Sequence, residues 1–203
     1  GRATNGPFAV EILANKLNAS RKSYGVNAAR SDYGSNWEAI SVFQNTGLLG
    51  QVDQYAADLD GKKADRGTLI FIVIGGYDLQ YHLMVGGGMD DQTMADLADQ
   101  TIANVSKAVT SLTGVGAKRF MVINTLDLAR LPDTGFYDLV KPAKAFQDRM
   151  VAQMPVEMDA LAQQLKIEIQ VFDLVAAESQ IRRGFTEYGL TELSEPCFSD
   201  RGP

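Results

Sequence analysis

Apolar positions in this chain follow two different periods, and the two alternate along its length. Leu69-Ile70-Phe71-Ile72-Val73-Ile74 is an unbroken apolar run ending at Gly75, the pattern of a parallel strand covered on both faces. Ser23 to Ala29, Arg119 to Asn124 and Glu168 to Phe172 are less continuous apolar, β-branched or aromatic segments, and with Thr68 to Ile74 they predict four buried strands.

The segments between them have helical spacing. Pro7 to Leu17 carries Phe8, Val10, Ile12, Leu13 and Leu17, and Gly47 to Leu59 carries Leu48, Val52, Tyr55 and Leu59 at three- and four-residue steps. Met94, Leu97, Ala98, Ile102, Val105, Val109 and Leu112 continue that spacing over five turns until Gly114 and Gly116. A further helix is expected from about Lys144 to Leu165, with Phe146, Met150, Met154, Met158, Leu161 and Leu165 as its stripe and a kink or break at Pro155. The last begins near Asp173 and ends at Gly184 or Gly189. Alternating strands and helices predict an α/β domain with a parallel sheet and helices on both faces. Ligands in such sheets sit at the C-terminal strand ends, here the loops after Val26, Ile74, Ile123 and Phe172.

Composition narrows the partners. The chain has 203 residues, enough for one real core, and no composition shift divides residues 1–203 into two domains. A net charge of −6 repels phosphate polymers, and no basic stretch is interleaved with aromatics, which argues against a nucleic-acid partner. No apolar run approaches the ~20 residues of a membrane helix. One cysteine, Cys197, and one histidine, His82, supply neither an internal disulfide nor a metal site of the usual kind, so no metal is expected.

Several local motifs fall at the expected loops in a recognisable order. They are Gly1-Arg2-Ala3-Thr4-Asn5-Gly6-Pro7; Ser23-Tyr24-Gly25-Val26-Asn27-Ala28-Ala29-Arg30-Ser31; Gly50-Gln51-Val52-Asp53-Gln54-Tyr55; and Gly75-Gly76-Tyr77-Asp78-Leu79. Gly116-Ala117-Lys118-Arg119-Phe120 with Asn124 and Pro132 comes next, and Val171-Phe172-Asp173-Leu174, Tyr188-Gly189 and Pro196-Cys197 follow. Together they resemble the SGNH (GDSL-type) hydrolases, in the lipase, esterase and acetylesterase branch, over the whole chain. The resemblance implies a three-layer α/β/α sandwich with a flavodoxin-like sheet. It also implies hydrolysis of a small-molecule, lipid or glycan ester by a Ser/His/Asp mechanism with no cofactor, and a secreted origin.

The same resemblance marks what these 203 residues do not contain. The family's opening Gly-Asp-Ser block and closing Asp-x-x-His block find no counterpart here, so no catalytic residue is assigned. At the oxyanion positions, Ala28 stands for a glycine and Tyr77 for an asparagine. Alanine keeps its amide donor but is strained if φ is positive, and a phenol cannot imitate an amide side chain. Asn27, Gly75, Gly76, Asp78 and Asn124 are the remaining candidates to line the pocket. Loss of the family's opening strand would also leave sheet backbone unpaired, which implies self-association. A substitute triad would need His82, Asp78 four residues before it, and Ser31, Ser35 or Ser41, none of which lies in a Gly-x-Ser-x-Gly elbow.

Other motifs have plainer readings. Gly86-Gly87-Gly88 lacks the Lys-Ser/Thr of a phosphate loop and reads as a connection to a helix starting at Asp90 or Asp91. The Met150, Met154 and Met158 spacing suits a packed face. Tyr24, Tyr33, Trp37 and Tyr77 are aromatics near the expected pocket that could pack or stack on a sugar ring. Two functional readings stay open: an ester hydrolase whose reactive blocks lie outside these residues, and a degenerate relative that binds an ester, acyl chain or glycan without cleaving it.

Overall fold

Three of the four expected strands form, and they form one parallel sheet. In the computed structural model, which describes residues 6–193, β1 (Leu69–Val73), β2 (Arg119–Ile123) and β3 (Glu168–Phe172) lie in the order β1-β2-β3. Their register aligns Ile70, Phe120 and Ile169 in one row and Ile72, Val122 and Val171 in the next, so one face of the sheet is continuously apolar. The connections are helical: α1 (Ala9–Lys16), α2 (Leu48–Asp58), α3 (Gly76–Met84), α4 (Asp91–Gly114), α5 (Pro132–Phe136), α6 (Val140–Leu165) and α7 (Leu174–Arg183). The architecture is α/β.

The core forms where the stripes of α4 and α6 meet that apolar face. Met94, Ala98, Ile102, Val105, Val109 and Leu112 of α4 join Phe146, Met150, Met154 and Met158 of α6, with Phe120, Val122 and Ile72 beneath them. The Asp90 carboxylate starts α4 by accepting from the amides of Gln92 and Thr93, and Gly116 at φ +107 turns the chain out of its end. The methionines of α6 have no exposed surface.

Of the kink or break expected at Pro155, the break does not occur: the helix runs from Val140 to Leu165 with the proline inside it. Proline removes the bond that residue 155 would donate to the Val151 carbonyl, a loss of about 3 kcal/mol in a helix interior. Met154 and Met158 on either side are fully buried, and their packing holds the helix through the gap.

The expected strand at Ser23 to Ala29 is also absent. Val26 is its one β-branched residue, while Gly25 and Asn27 favour turns. The segment is held by side chains instead: Lys22 and the Tyr24 hydroxyl both bond to Asp58 on α2, and the Tyr24 ring stands edge-on to Tyr55 with centroids 5.5 Å apart. Its β-type contact is a bridge from Ala29 to Ser35 inside its own turn.

The second face of the sheet is incompletely covered. Leu69, Phe71, Met121 and Ile123 are half-buried there, Val73 is 61% exposed and Phe172 44%. Among the described residues no helix is long and apolar enough to cross a membrane.

An apolar sheet face open to water favours association. Sedimentation velocity is expected to show the chain self-associating as its concentration rises. Val73→Lys combined with Phe172→Lys should return it to monomer; association unchanged in that variant would mean another surface is responsible.

Candidate functional site

The site is built where β1 runs into α3. Gly75, between them, has φ +116, and a Cβ there would lie 3.1 Å from the Met150 Cε, with Thr101 and Phe146 behind it. The backbone conformation requires glycine, and a side chain would also press on the flexible end of Met150. The empty side of Gly75 faces the core, whereas the bare Cα of Gly76 lies beside Leu128 of the loop after β2, with a Cβ position 3.6 Å from Leu128 Cδ2.

The turn from Ala28 to Asn36 meets this strand end. It is closed by bonds from the Arg30 amide to Gly34 O at 3.0 Å and from the Asn36 amide to Ala28 O at 2.9 Å. Its carbonyls then start α2, because Leu48 N donates to Arg30 O and Leu49 N to Asp32 O, satisfying amides that a helix leaves unpaired. Arg30 is 8% exposed. Its guanidinium donates to Ser35 O and Glu38 and lies 3.9 Å from the centre of the Tyr81 ring on α3. Gly34 passes directly beneath it, where a Cβ would clash with Nη2.

Two links tie turn to helix. Tyr77 Oη donates to Asn27 Oδ1 at 2.7 Å. Deeper, Ser31 donates both its amide and its hydroxyl to the Asp78 carboxylate, the hydroxyl at 2.6 Å, and Asn104 Nδ2 on α4 donates to Ser31 Oγ at 2.9 Å. Burial pushes the Asp78 carboxyl up to about 6, against the opposing pull of the Ser31 hydrogen bonds. The structure thus joins Asn27, Ala28, Tyr77 and Asp78 around one strand end.

Ala28 has φ +67 and no exposed surface. Its amide N–H has no acceptor among the described residues, which costs about 1–3 kcal/mol for a buried donor. Asn124 stands at the end of β2, where its Oδ1 accepts from Thr125 N and Leu174 N and its Nδ2 donates to Asp173. It clamps the ends of β2 and β3 together, and the Oγ of neighbouring Thr125 is buried without a partner.

The candidate triad does not assemble: Ser31 and Asp78 meet, but the bond of His82 goes elsewhere. His82 Nε2 lies 2.9 Å from Gly88 O, with Gly87 pressed against the ring, while Asp78 is engaged by Ser31. Ser31 and Ser35 are buried, and Ser41 sits exposed in a separate single-turn helix, Ser41–Phe43. Tyr24 lies against α2, and Trp37 packs edge-on to Phe43 at 5.2 Å. No family profile and no curated protein matches the chain.

Sequence reasoning missed the Ser31–Asp78–Asn104 network, because its members are 47 and 73 residues apart with no shared motif. A signal was present in part: a lone carboxylate inside an apolar segment needs donors.

Two measurements follow from this geometry. Ala28→Gly removes the cost of a left-handed alanine, and chemical denaturation should show a gain of about 1 kcal/mol; a loss would mean the buried methyl contributes more than the strain removes. Asp78 holds its proton more tightly in the folded chain than its ordinary 3.8, so between 3.8 and about 6 the folded state binds more protons. Its contribution to stability is therefore complete below 3.8 and declines as pH rises through about 6. Asp78→Asn keeps an acceptor for Ser31 and should flatten this part of the stability profile relative to the parent; parallel profiles would show that Asp78 does not titrate there.

Proposed function

We propose that the chain is a GDSL-type hydrolase scaffold, a three-layer α/β/α sandwich of flavodoxin-like order, that binds a carboxylic ester, acyl chain or acylated glycan at the ends of its strands without cleaving it through the described residues. The observation that carries this reading is the double contact between the turn holding Ala28 and the start of α3 holding Tyr77. These are the two segments that a GDSL-type hydrolase uses to hold the carbonyl oxygen, and they lie side by side at a C-terminal strand end.

Chemistry supports binding over cleavage. Acyl transfer needs a hydroxyl whose proton passes to a base, and a histidine is the usual one near neutral pH. Ser31 Oγ instead donates to a buried carboxylate, accepts from Asn104 and has 1% of its surface exposed, so it has neither an imidazole nor an open path to a substrate. Tyr77 commits its hydroxyl to Asn27 at the position where an amide side chain would donate to a developing oxyanion. Loss of one such donor slows acyl transfer by about 10² to 10³. The Ala28 amide, which has no acceptor among the described residues, is the donor left for a ligand carbonyl.

The test uses the intact chain with p-nitrophenyl acetate, a fluorophosphonate probe and p-nitroacetanilide, the uncleaved amide counterpart of the ester. Expected are no turnover above background, no labelling, and saturable amide NMR shifts at Asn27, Ala28 and Gly76 with the anilide. Labelling abolished by replacing a single serine would refute the non-catalytic part, and absence of shifts at those three residues would refute the site.

A further inference from the structure

Away from the strand-end turn, one cleft gathers positive charge in a chain whose net charge is negative. It has a volume of about 450 Å³ and is lined by Arg130, Ser179, Arg182, Arg183 and Leu193. Arg130 comes from the single-turn helix Leu128–Arg130 after β2, while Ser179, Arg182 and Arg183 come from the C-terminal half of α7. The two walls are held together by a bond of 2.8 Å from the Asp127 amide to Glu178 Oε2. We propose that this cleft binds a small soluble molecule carrying a phosphate monoester, with the phosphate held by the three guanidinium groups.

The charge balance around the cleft carries the argument. Arg130 pairs with the buried carboxylate of Asp127 at 3.3 Å. Arg182 and Arg183 donate to neutral acceptors, Leu193 O at 3.2 Å and Ser179 Oγ at 3.3 Å, and among the described residues neither meets a carboxylate within ion-pair distance. Arginine in the last turn of a helix does complement the dipole, but that end carries only about half a negative charge against two guanidiniums. Glu178, one turn before Arg182 on the same helix, adds a carboxylate that accepts from the Asp127 amide, so the net positive charge left on this wall is less than one.

Geometry selects the ligand class. A guanidinium has five N–H donors in a planar fork that fits phosphate oxygens two at a time, and Arg182 and Arg183 each have one donor engaged in the bonds above. Ser179 Oγ accepts from Arg183, so its own proton is free to point toward an anion. Three forks from two walls suit a dianion better than a single carboxylate, and the volume is in the range of small-molecule sites, larger than a bare phosphate requires. Leu193 gives the organic part of the ligand an apolar surface. The chain as a whole, at net charge −6, repels anions, so capture depends on this short-range cluster and should weaken with salt.

The test is a titration of the intact protein with glucose 6-phosphate, glucose and inorganic phosphate at constant ionic strength, followed by amide NMR and calorimetry. Expected are saturable shifts at Ser179, Arg182 and Arg183 with both phosphates, tighter for glucose 6-phosphate, and none with glucose. Arg182→Gln with Arg183→Gln should weaken the affinity at least about tenfold, and lysine at both positions should restore only part of it. Non-saturating shifts, an equal response to sulfate with no gain from the sugar, or unchanged affinity in the glutamine variant would each overturn the proposal. So would binding to vesicles containing phosphatidic acid that glucose 6-phosphate fails to displace. Because the first comparison uses the unaltered protein, misfolding of a variant leaves the proposal open to refutation.

Discussion

A buried carboxylate with its hydrogen bonds supplied from far along the chain is the constraint on which the strand-end region rests. Asp78 sits in the first turn of α3, where its charge is favoured by the helix dipole but disfavoured by burial. Ser31 supplies the compensation with two donors, and Asn104 fixes the Ser31 hydroxyl in turn. One side chain therefore joins the turn after residue 27, α3 and α4. Removing a donor would leave a carboxylate unmatched in a poorly solvated place, so the three elements keep a common geometry.

This network explains how a turn without regular structure acts as part of the framework. Arg30 lies over Tyr81, the turn carbonyls start α2, and the Ser31 bonds reach the core beside α4. The strained alanine at φ +67 sits inside a turn closed by the bonds from Arg30 to Gly34 and from Asn36 to Ala28. Beneath, the methionine-lined contact between α4 and α6 is the most extensive between any two elements, and α6 carries a proline within it.

Much of this architecture was legible in the sequence, and the exceptions have physical causes. β1, β2 and β3 were marked by runs of β-branched and aromatic residues, and the stripe from Met94 to Leu112 announced α4. Ser23 to Ala29 misled because a few apolar residues near Gly25 and Asn27 imitate a strand without giving it a partner. At Pro155 the break, one of two outcomes expected there, does not occur because packing offsets the local backbone cost. The meeting of the Ala28 and Tyr77 segments followed from the loops expected at strand ends, whereas the convergence of Arg130 with Arg182 and Arg183 could not be read, since charges about fifty residues apart carry no periodic signal.

The spacing of these contacts along the chain also sets an order in time. α6 returns into β3 through Lys166 and Ile167 alone, a reversal that closes almost no loop and can form early. The bonds from Ser31 to Asp78 and Asn104 enclose 47 and 73 residues, so they wait until the helices and sheet are assembled. The strand-end corner of the molecule is thus the late-forming part of the fold, and by the same reckoning the region where native-state opening begins.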